Sequence, residues 1–238
     1  MFEVMALKER VGSVIRTDAA TLLAPSVARQ LRQLLVERGV LVFRELQLDD
    51  EQQLALSSLM GTLREEGQKG ILKITLDKEL NPRRDYLKGS FFWHIDGTHD
   101  DVPPFASLLT GITLSDSGGQ TEFANSYAAY EELPQEMKDR IAGLRAVHSV
   151  ETSTRKAGVE PTPESVAYWR SFPDRTHKLV WTHASGRKSL VIGSHASHID
   201  GMDREEGQKL LQELLDWATQ PRFVYRHEWT PGDLLIWD

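Results

Sequence analysis

The stretch Phe223-Val224-Tyr225-Arg226-His227-Glu228-Trp229, then Thr230-Pro231-Gly232-Asp233, then Leu234-Leu235-Ile236-Trp237, reads as strand, turn, strand. Aromatic and β-branched residues suit a pleated, half-buried surface, and Pro-Gly-Asp is turn chemistry. Tyr225, His227 and Trp229 alternate onto one face, where His227 is expected to pack or to make a surface bond. Other segments of strand-like composition lie at 40–43, 91–96, 107–114, 121–124, 145–150, 178–182 and 189–192, with Ser117-Gly118-Gly119 as a turn between two of them. Helical patterns are fewer. One follows Pro25-Ser26, places Val27, Leu31, Leu34 and Leu35 on one face and closes at Gly39. A second is capped by Asp49 or Asp50, runs to about Leu59 and stops at Gly61. A short one spans 134–142, and Asp203-Arg204-Glu205-Glu206 opens another with Leu210, Leu211, Leu214, Leu215 and Ala218 inward. Many short strands with peripheral helices predict a mostly β, α+β architecture, a sandwich or jelly roll, as one domain over 1–238. Residues 62–89 read equally as a loop-rich region beside a site or as a solvated connection. Residues 151–176, polar and carrying Pro161, Pro163 and Pro173, are a candidate lid.

Composition narrows the function classes. The chain has 238 residues, 40% of them apolar, and a net charge of −7 with no basic block. That argues against nucleic acid or an anionic membrane as partner. The absence of cysteine excludes disulfides, zinc-thiolate sites, iron–sulfur clusters and thiol nucleophiles, so metal chemistry has to use His, Asp and Glu. The first eleven residues carry Glu3, Lys8, Glu9 and Arg10 and no apolar signal core, and no apolar run reaches membrane-spanning length. A cytoplasmic protein acting on a small molecule is the expectation, with a homo-oligomer left open.

One motif carries chemistry. In Trp93-His94-Ile95-Asp96-Gly97-Thr98 an imidazole and a carboxylate stand two residues apart. In an extended segment both point the same way. Joined by one distant histidine they make the facial triad of non-haem Fe(II) oxygenases, which leaves coordination positions open for a cosubstrate and oxygen. A His-x-Asp pair alone is common by chance.

Three blocks occur in order: Trp93-His94-Ile95-Asp96, Gly118-Gly119-Gln120-Thr121-Glu122-Phe123, and Trp229 through Asp238. Together they resemble the taurine dioxygenase and 2,4-dichlorophenoxyacetate dioxygenase family of Fe(II)/2-oxoglutarate enzymes, from about Val40 to the last residue. Trp181-Thr182-His183-Ala184-Ser185-Gly186-Arg187-Lys188, His195-Ala196-Ser197-His198 and Phe223-Val224-Tyr225-Arg226-His227 are more similar to the aryloxyacetate branch than to the taurine branch. The resemblance implies a double-stranded β-helix, that is, a jelly roll. It implies His94 and Asp96 as iron ligands and Thr121 as donor to a 2-oxoglutarate carboxylate. Read without its neighbours, Thr121 is an ordinary β-branched strand residue. The implied reaction consumes O2, decarboxylates 2-oxoglutarate to succinate and hydroxylates a C–H bond of a small anionic substrate, aryloxyalkanoate-like or related. Beside an ether oxygen, the resulting hemiacetal collapses and cleaves the ether.

The family pattern places its third ligand, a histidine, about six residues beyond Asp238, with an arginine for the far 2-oxoglutarate carboxylate further on. An omitted tail, a cut chain and natural degeneracy are the three explanations. A missing tail is favoured, because residues 234–238 are expected to form an apolar edge strand that would otherwise stand exposed. His183, His198 and His99 are substrate candidates, the first two by resemblance, with His183 ahead of His195 and His198. His99 is placed near the site mouth. Lys73, Arg83, Arg84 and Lys88 are cations that could meet an anionic substrate or simply be solvated. An asparagine of the taurine branch near residues 76–77 has no counterpart here. The competing reading is a non-catalytic jelly-roll binding protein with a degenerate metal site. A sugar-binding or structural sandwich requires the ordered blocks to be coincidence.

Taken literally, a chain ending at Asp238 has two protein ligands and no arginine, a loss on the order of a few kcal/mol of cosubstrate binding. Such a protein is expected to be metal-poor and inactive. Robust 2-oxoglutarate turnover by protein verified to end at Asp238 would overturn that expectation.

Overall fold

The computed structural model describes residues 2–64, 70–75, 77, 79, 81 and 84–238, with 84–86 by their backbone alone. Arg83, Leu76 and the side chain of Arg84, raised above as possible substrate contacts or markers, lie outside what is described; Lys73 and Lys88 are exposed. Contacts gather into two compact units. The first combines Met1–Leu72, Pro104–Ala128 and Thr219–Asp238, and the second Lys73–Pro103 and Ala129–Ala218. Among the described residues no helix is long and apolar enough to cross a membrane.

In the first unit a five-stranded sheet runs in the order β1 (Glu3–Ala6), β2 (Ser13–Arg16), β3 (Val40–Phe43), β12 (Leu234–Trp237), β4 (Ser107–Thr110). Strand β12 pairs antiparallel on both sides, Leu234 opposite Phe43 and Thr110, Trp237 opposite Val40 and Ser107. The expectation of an apolar edge strand at 234–238 is therefore wrong: this strand is interior. Its continuous apolar run follows, since both sheet faces are covered. On one face Leu41, Phe43, Leu234 and Ile236 pack with Val27, Leu31 and Leu35 of helix α2 (Pro25–Arg38) and Leu56 and Met60 of α3 (Asp50–Met60). On the other, Val40, Val42 and Leu235 meet Tyr225, Phe123 and Trp229, which belong to or flank the two-stranded sheet of β5 (Thr121–Ala124) and β11 (Val224–His227). Sheet faces sheet, as a jelly-roll core requires.

Local signals explain the helices. Pro25 pre-sets the first turn of α2, and Gly39 ends it at φ 75°, a conformation a side chain resists. Asp49 and Gln52 form a reciprocal capping box on α3. Strand β4 is shorter than the expected 107–114. Gly111 lies under the Trp229 indole, where a Cβ would come within 2.9 Å, and its N–H and carbonyl bond the Asp233 carbonyl and the Gly232 N–H.

The Pro-Gly-Asp turn is built around a buried carboxylate. Asp233 is 0% exposed. Its oxygens accept from Arg44 Nη1 (2.8 Å), Glu45 N (2.9 Å), Thr230 N (3.0 Å) and His227 Nε2 (3.0 Å). His227 is fully buried rather than at the surface. Burial first, then the Arg44 charge, depress its pKa against the pull of Asp233, so the ring is neutral. Nε2–H donates to the carboxylate and Nδ1 accepts from the Tyr225 hydroxyl at 3.0 Å.

In the second unit the sheet order is β10 (Ala196–Ile199), β6 (Arg145–His148), β7 (Arg175–Lys178), beside a hairpin of β8 (Val180–Thr182) and β9 (Lys188–Leu190). Strand β6 stops at His148 instead of 150 because Ser149 caps α6 (Val150–Lys156). The expected strand 178–182 is two, split at Leu179, whose N–H bonds Leu144 O while its carbonyl accepts from Val191 N. The polar stretch 151–176 carries most of α6 and all of α7 (Pro163–Arg170), tied by Glu151 to Arg155 and Arg170. Helix α8 (Arg204–Ala218) buries Leu210, Leu211, Leu214 and Ala218, and Asp203 accepts from the Glu205 and Glu206 N–H groups.

The expected strand at 91–96 does not form. A 3₁₀ helix (Arg84–Phe91) leads into residues outside any strand, then a turn after Asp96. Its aromatic start faces solvent, Phe91 at 71% and Phe92 at 44% exposure.

His148 is 1% exposed, and neither ring nitrogen has a hydrogen-bond partner among the described residues. Its ring stands edge-on to His177 at 5.4 Å. Burial, then the neighbouring His177 and His195, push its pKa down to about 3.

Two predictions follow from these buried groups. Asp233→Ala should cost about 3–5 kcal/mol in urea unfolding, because it strands a cation, an imidazole N–H and two backbone donors. Arg44→Ala should cost less, since the Arg44 side chain is 40% exposed and its loss leaves the other three bonds. For His148 the unfolded chain takes up a proton below about pH 6.5 that the folded chain refuses until about pH 3. Its contribution is thus fully present above the unfolded pKa and is lost as pH falls through that window. The thermal midpoint should drop less between pH 7 and pH 5 in His148→Phe than in the unsubstituted protein; equal drops would contradict the assignment.

Candidate active site

The His94–Asp96 pair lies in the second unit, on the irregular segment after the 3₁₀ helix. Although no strand aligns them, the two side chains converge: His94 Nε2 is 3.4 Å from Asp96 Oδ1, at 30% and 35% side-chain exposure. The segment is fixed from outside. Trp93 O accepts from Ser194 N at 2.7 Å, and Thr98 O from His177 Nε2 at 2.9 Å.

The tautomer of His94 follows from its own backbone. Nδ1 lies 2.8 Å from the Phe92 carbonyl, which can only accept, so Nδ1 carries the proton. A neutral ring then aims the Nε2 lone pair at a carboxylate oxygen, two acceptors face to face. A cation between them removes the conflict. Burial disfavours a charged His94, but the bond and charge of Asp96 and the Phe92 carbonyl outweigh it and raise the pKa. A divalent metal meets the same need, and a ring whose other nitrogen donates to a carbonyl is the usual state of a metal-bound histidine. The pair therefore fits two positions of an iron site. Among the described residues no group of three or more His, Asp or Glu side chains is disposed to hold a metal.

Other imidazoles stand around the pair. The His195 ring is 6.5 Å from His94 and 6.2 Å from His99, and His99 packs edge-on against Phe172 at 5.3 Å. Burial first, then His94 and His99, bring the His195 pKa down to about 4. Of the three substrate candidates, His99 stands in this group and the other two bond serines of the same unit. His183 bonds Ser189 Oγ across the β8–β9 hairpin at 2.7 Å, and His198 bonds Ser197 Oγ at 2.7 Å. Buried polar atoms without a hydrogen-bond partner among the described residues include Thr98 Oγ1, Ser194 Oγ and His195 Nδ1. Each belongs to the ligand segment or to the stretch touching it.

Thr121 lies in the first unit. It opens β5 opposite His227, and its hydroxyl oxygen accepts from Trp229 Nε1 at 3.0 Å. The indole occupies an acceptor position and leaves the hydroxyl proton to be donated. Trp229 is held by the edge-on His227 ring at 4.7 Å and by the space at Gly111.

Sequence reasoning missed His148, His177, Gly193 and Ser194. The last two stand beside His195 in the chain, and a glycine-serine pair ahead of a histidine was the available signal. Nothing local marks His148 or His177, because their partners are distant in sequence.

Residues 4–238 match the family described as "Taurine catabolism dioxygenase TauD, TfdA family". The alpha-ketoglutarate-dependent 2,4-dichlorophenoxyacetate dioxygenase of Burkholderia sp. (strain RASC) is 37% identical over 251 residues, covering 96% of this chain and 82% of the relative. The (S)-phenoxypropionate/alpha-ketoglutarate-dioxygenase of Sphingobium herbicidovorans is 33% identical, covering 100% and 86%. A crystal structure of AAD-2 in complex with Mn(II) and N-oxalylglycine superposes with a TM-score of 0.86 at 33% identity, covering 100% of this chain and 88% of that one. The jelly roll is thereby the fold, and the 2,4-dichlorophenoxyacetate branch is the one this chain joins. The chain belongs to the TauD/TfdA family of Fe(II)- and 2-oxoglutarate-dependent dioxygenases.

Proposed function

We propose that this chain hydroxylates a small aryloxyalkanoate-like carboxylic acid, with His94 and Asp96 as two of the three iron ligands and Thr121 as donor to a carboxylate of 2-oxoglutarate. The observation carrying the reading is the His94 Nε2–Asp96 Oδ1 pair, two acceptors brought to 3.4 Å that call for a cation. Bound iron supplies the oxidising chemistry that couples decarboxylation of 2-oxoglutarate to insertion of one oxygen atom into a substrate C–H bond.

The remaining work falls to the chain itself. Phe92 O fixes the His94 ring and keeps the proton on Nδ1. Trp229 turns the Thr121 hydroxyl proton away from itself, toward an anionic oxygen, where a charge-assisted bond is short and strong. The hydroxyls of Thr98 and Ser194 and Nδ1 of His195 are buried polar groups without hydrogen-bond partners among the described residues, suited to a substrate carboxylate or its ordered water. The phenoxyalkanoate relatives support an aryl ether carboxylate over a sulfonate. Residues 151–176 are retained as the proposed lid.

Anaerobic addition of Fe(II) and then 2-oxoglutarate to the full-length protein should give the weak visible charge-transfer band, and Asp96→Ala should abolish it. A succinate-release screen should favour aryloxyacetates over sulfonates and alkyl sulfates. No band and no succinate would sink the reading. Thr121→Val should raise the KM for 2-oxoglutarate about 10-fold or more, the loss of one charge-assisted bond. Trp229→Phe should raise it severalfold without removing the hydroxyl; an unchanged KM in both would remove Thr121 from the site.

A further inference from the structure

The ligand segment 93–98 belongs to no sheet, so its geometry has to be imposed by something else. Two stretches impose it. At 192–194 the chain crosses directly over Trp93 and His94: a Cβ at Gly193 would lie 2.9 Å from His94 Cα and 2.9 Å from Trp93 O, both backbone atoms that cannot swing aside. Gly193 has φ +130°, and the next residue's N–H makes the 2.7 Å bond to Trp93 O. At the other end strand β7 reaches the turn after Asp96 with two alternate side chains. His177 Nε2 donates to Thr98 O at 2.9 Å, and Arg175 Nε pairs with Asp101 Oδ1 at 2.8 Å. Gly97 O accepts from Asp100 N at 2.8 Å and closes the turn between them.

We propose that Gly193 and His177 are positioning residues which set the spacing of His94 and Asp96 by gripping their segment at its two ends. The inference rests on the reading of that pair as metal ligands. Gly193 works by having no side chain, which lets one backbone lie on another. His177 works by its donor: the Thr98 carbonyl is two residues from Asp96, and releasing it lets the turn, and the carboxylate with it, rotate. Neither residue touches the metal, and neither role depends on charge.

The test is Mn(II) affinity of the full-length protein, read by the loss of the free-ion electron paramagnetic resonance signal, with circular dichroism and thermal midpoint as fold controls. Gly193→Ala should weaken Mn(II) binding about 10- to 100-fold, the range for groups that orient metal ligands. Gly143→Ala is a partial control: φ there is +79° and a Cβ would meet nothing within 4 Å, so it introduces a side chain at positive φ without the collision and should leave Mn(II) affinity unchanged. His177→Leu should weaken binding by at least 10-fold, and His177→Gln, which keeps an N–H near the position of Nε2, should recover most of it. If Gly193→Ala does not fold, the Leu/Gln pair decides alone. Equal affinities in His177→Leu, His177→Gln and the unsubstituted protein, with Asp96→Ala binding lost, would overturn the positioning proposal. Undiminished binding in Asp96→Ala would instead overturn the ligand assignment beneath it.

Discussion

A carboxylate with no access to water has to be answered by donors, and in the first unit Asp233 is answered by four. Because a buried, unpaired charge is far costlier than any single bond it makes, its partners are constrained as a set. Arg44 and Glu45 come from the end of β3, His227 from β11, and Thr230 from the turn that carries Asp233 itself. The requirement therefore brings β3, β11 and β12 to one point. Everything resting on those strands inherits the placement: the interior position of β12, the indole of Trp229 against His227, and the Thr121 hydroxyl that the indole orients.

The second unit solves a different problem. A ligand pair inside a regular sheet would have its orientation given by the pleat. Here the segment runs outside any strand, and its two acceptors sit closer than they would choose without a cation. The opposition between them is held by backbone contacts from 192–194 and by the His177 imidazole on β7. Near this arrangement His148 and His195 are kept uncharged by burial and by neighbouring imidazoles, which leaves them as neutral polar groups.

Much of the fold was legible wherever the signal was local. Caps at Asp49 and Asp203, a glycine stop at Gly39 and apolar periodicity placed α2, α3 and α8 within a residue or two. The runs at 40–43 and 234–237 read correctly as strands, but apolarity says nothing of neighbours, so the centre of a sheet was taken for its edge. Residues 91–96 failed for the opposite reason: aromatic composition imitates a strand, while the exposure of Phe91 and Phe92 is a fact of tertiary structure. Of the candidate site residues, His94, Asp96 and Thr121 stood in recognisable blocks. His183 and His198 entered by resemblance alone, and each bonds a serine within its own hairpin or strand. His177 and Gly193 were invisible because each acts on a residue some 80 to 100 positions away.

That long sequence separation has a thermodynamic side. On the proposed assignment, in which β7 and 192–194 hold the geometry of His94 and Asp96 as metal ligands, occupancy of the metal position and closure of those distant amides are linked functions. Whatever factor their local opening takes from metal affinity, bound metal returns as protection of the same amides against exchange. The proposed metal site is in this sense also a stabiliser of strands that contribute no ligand to it.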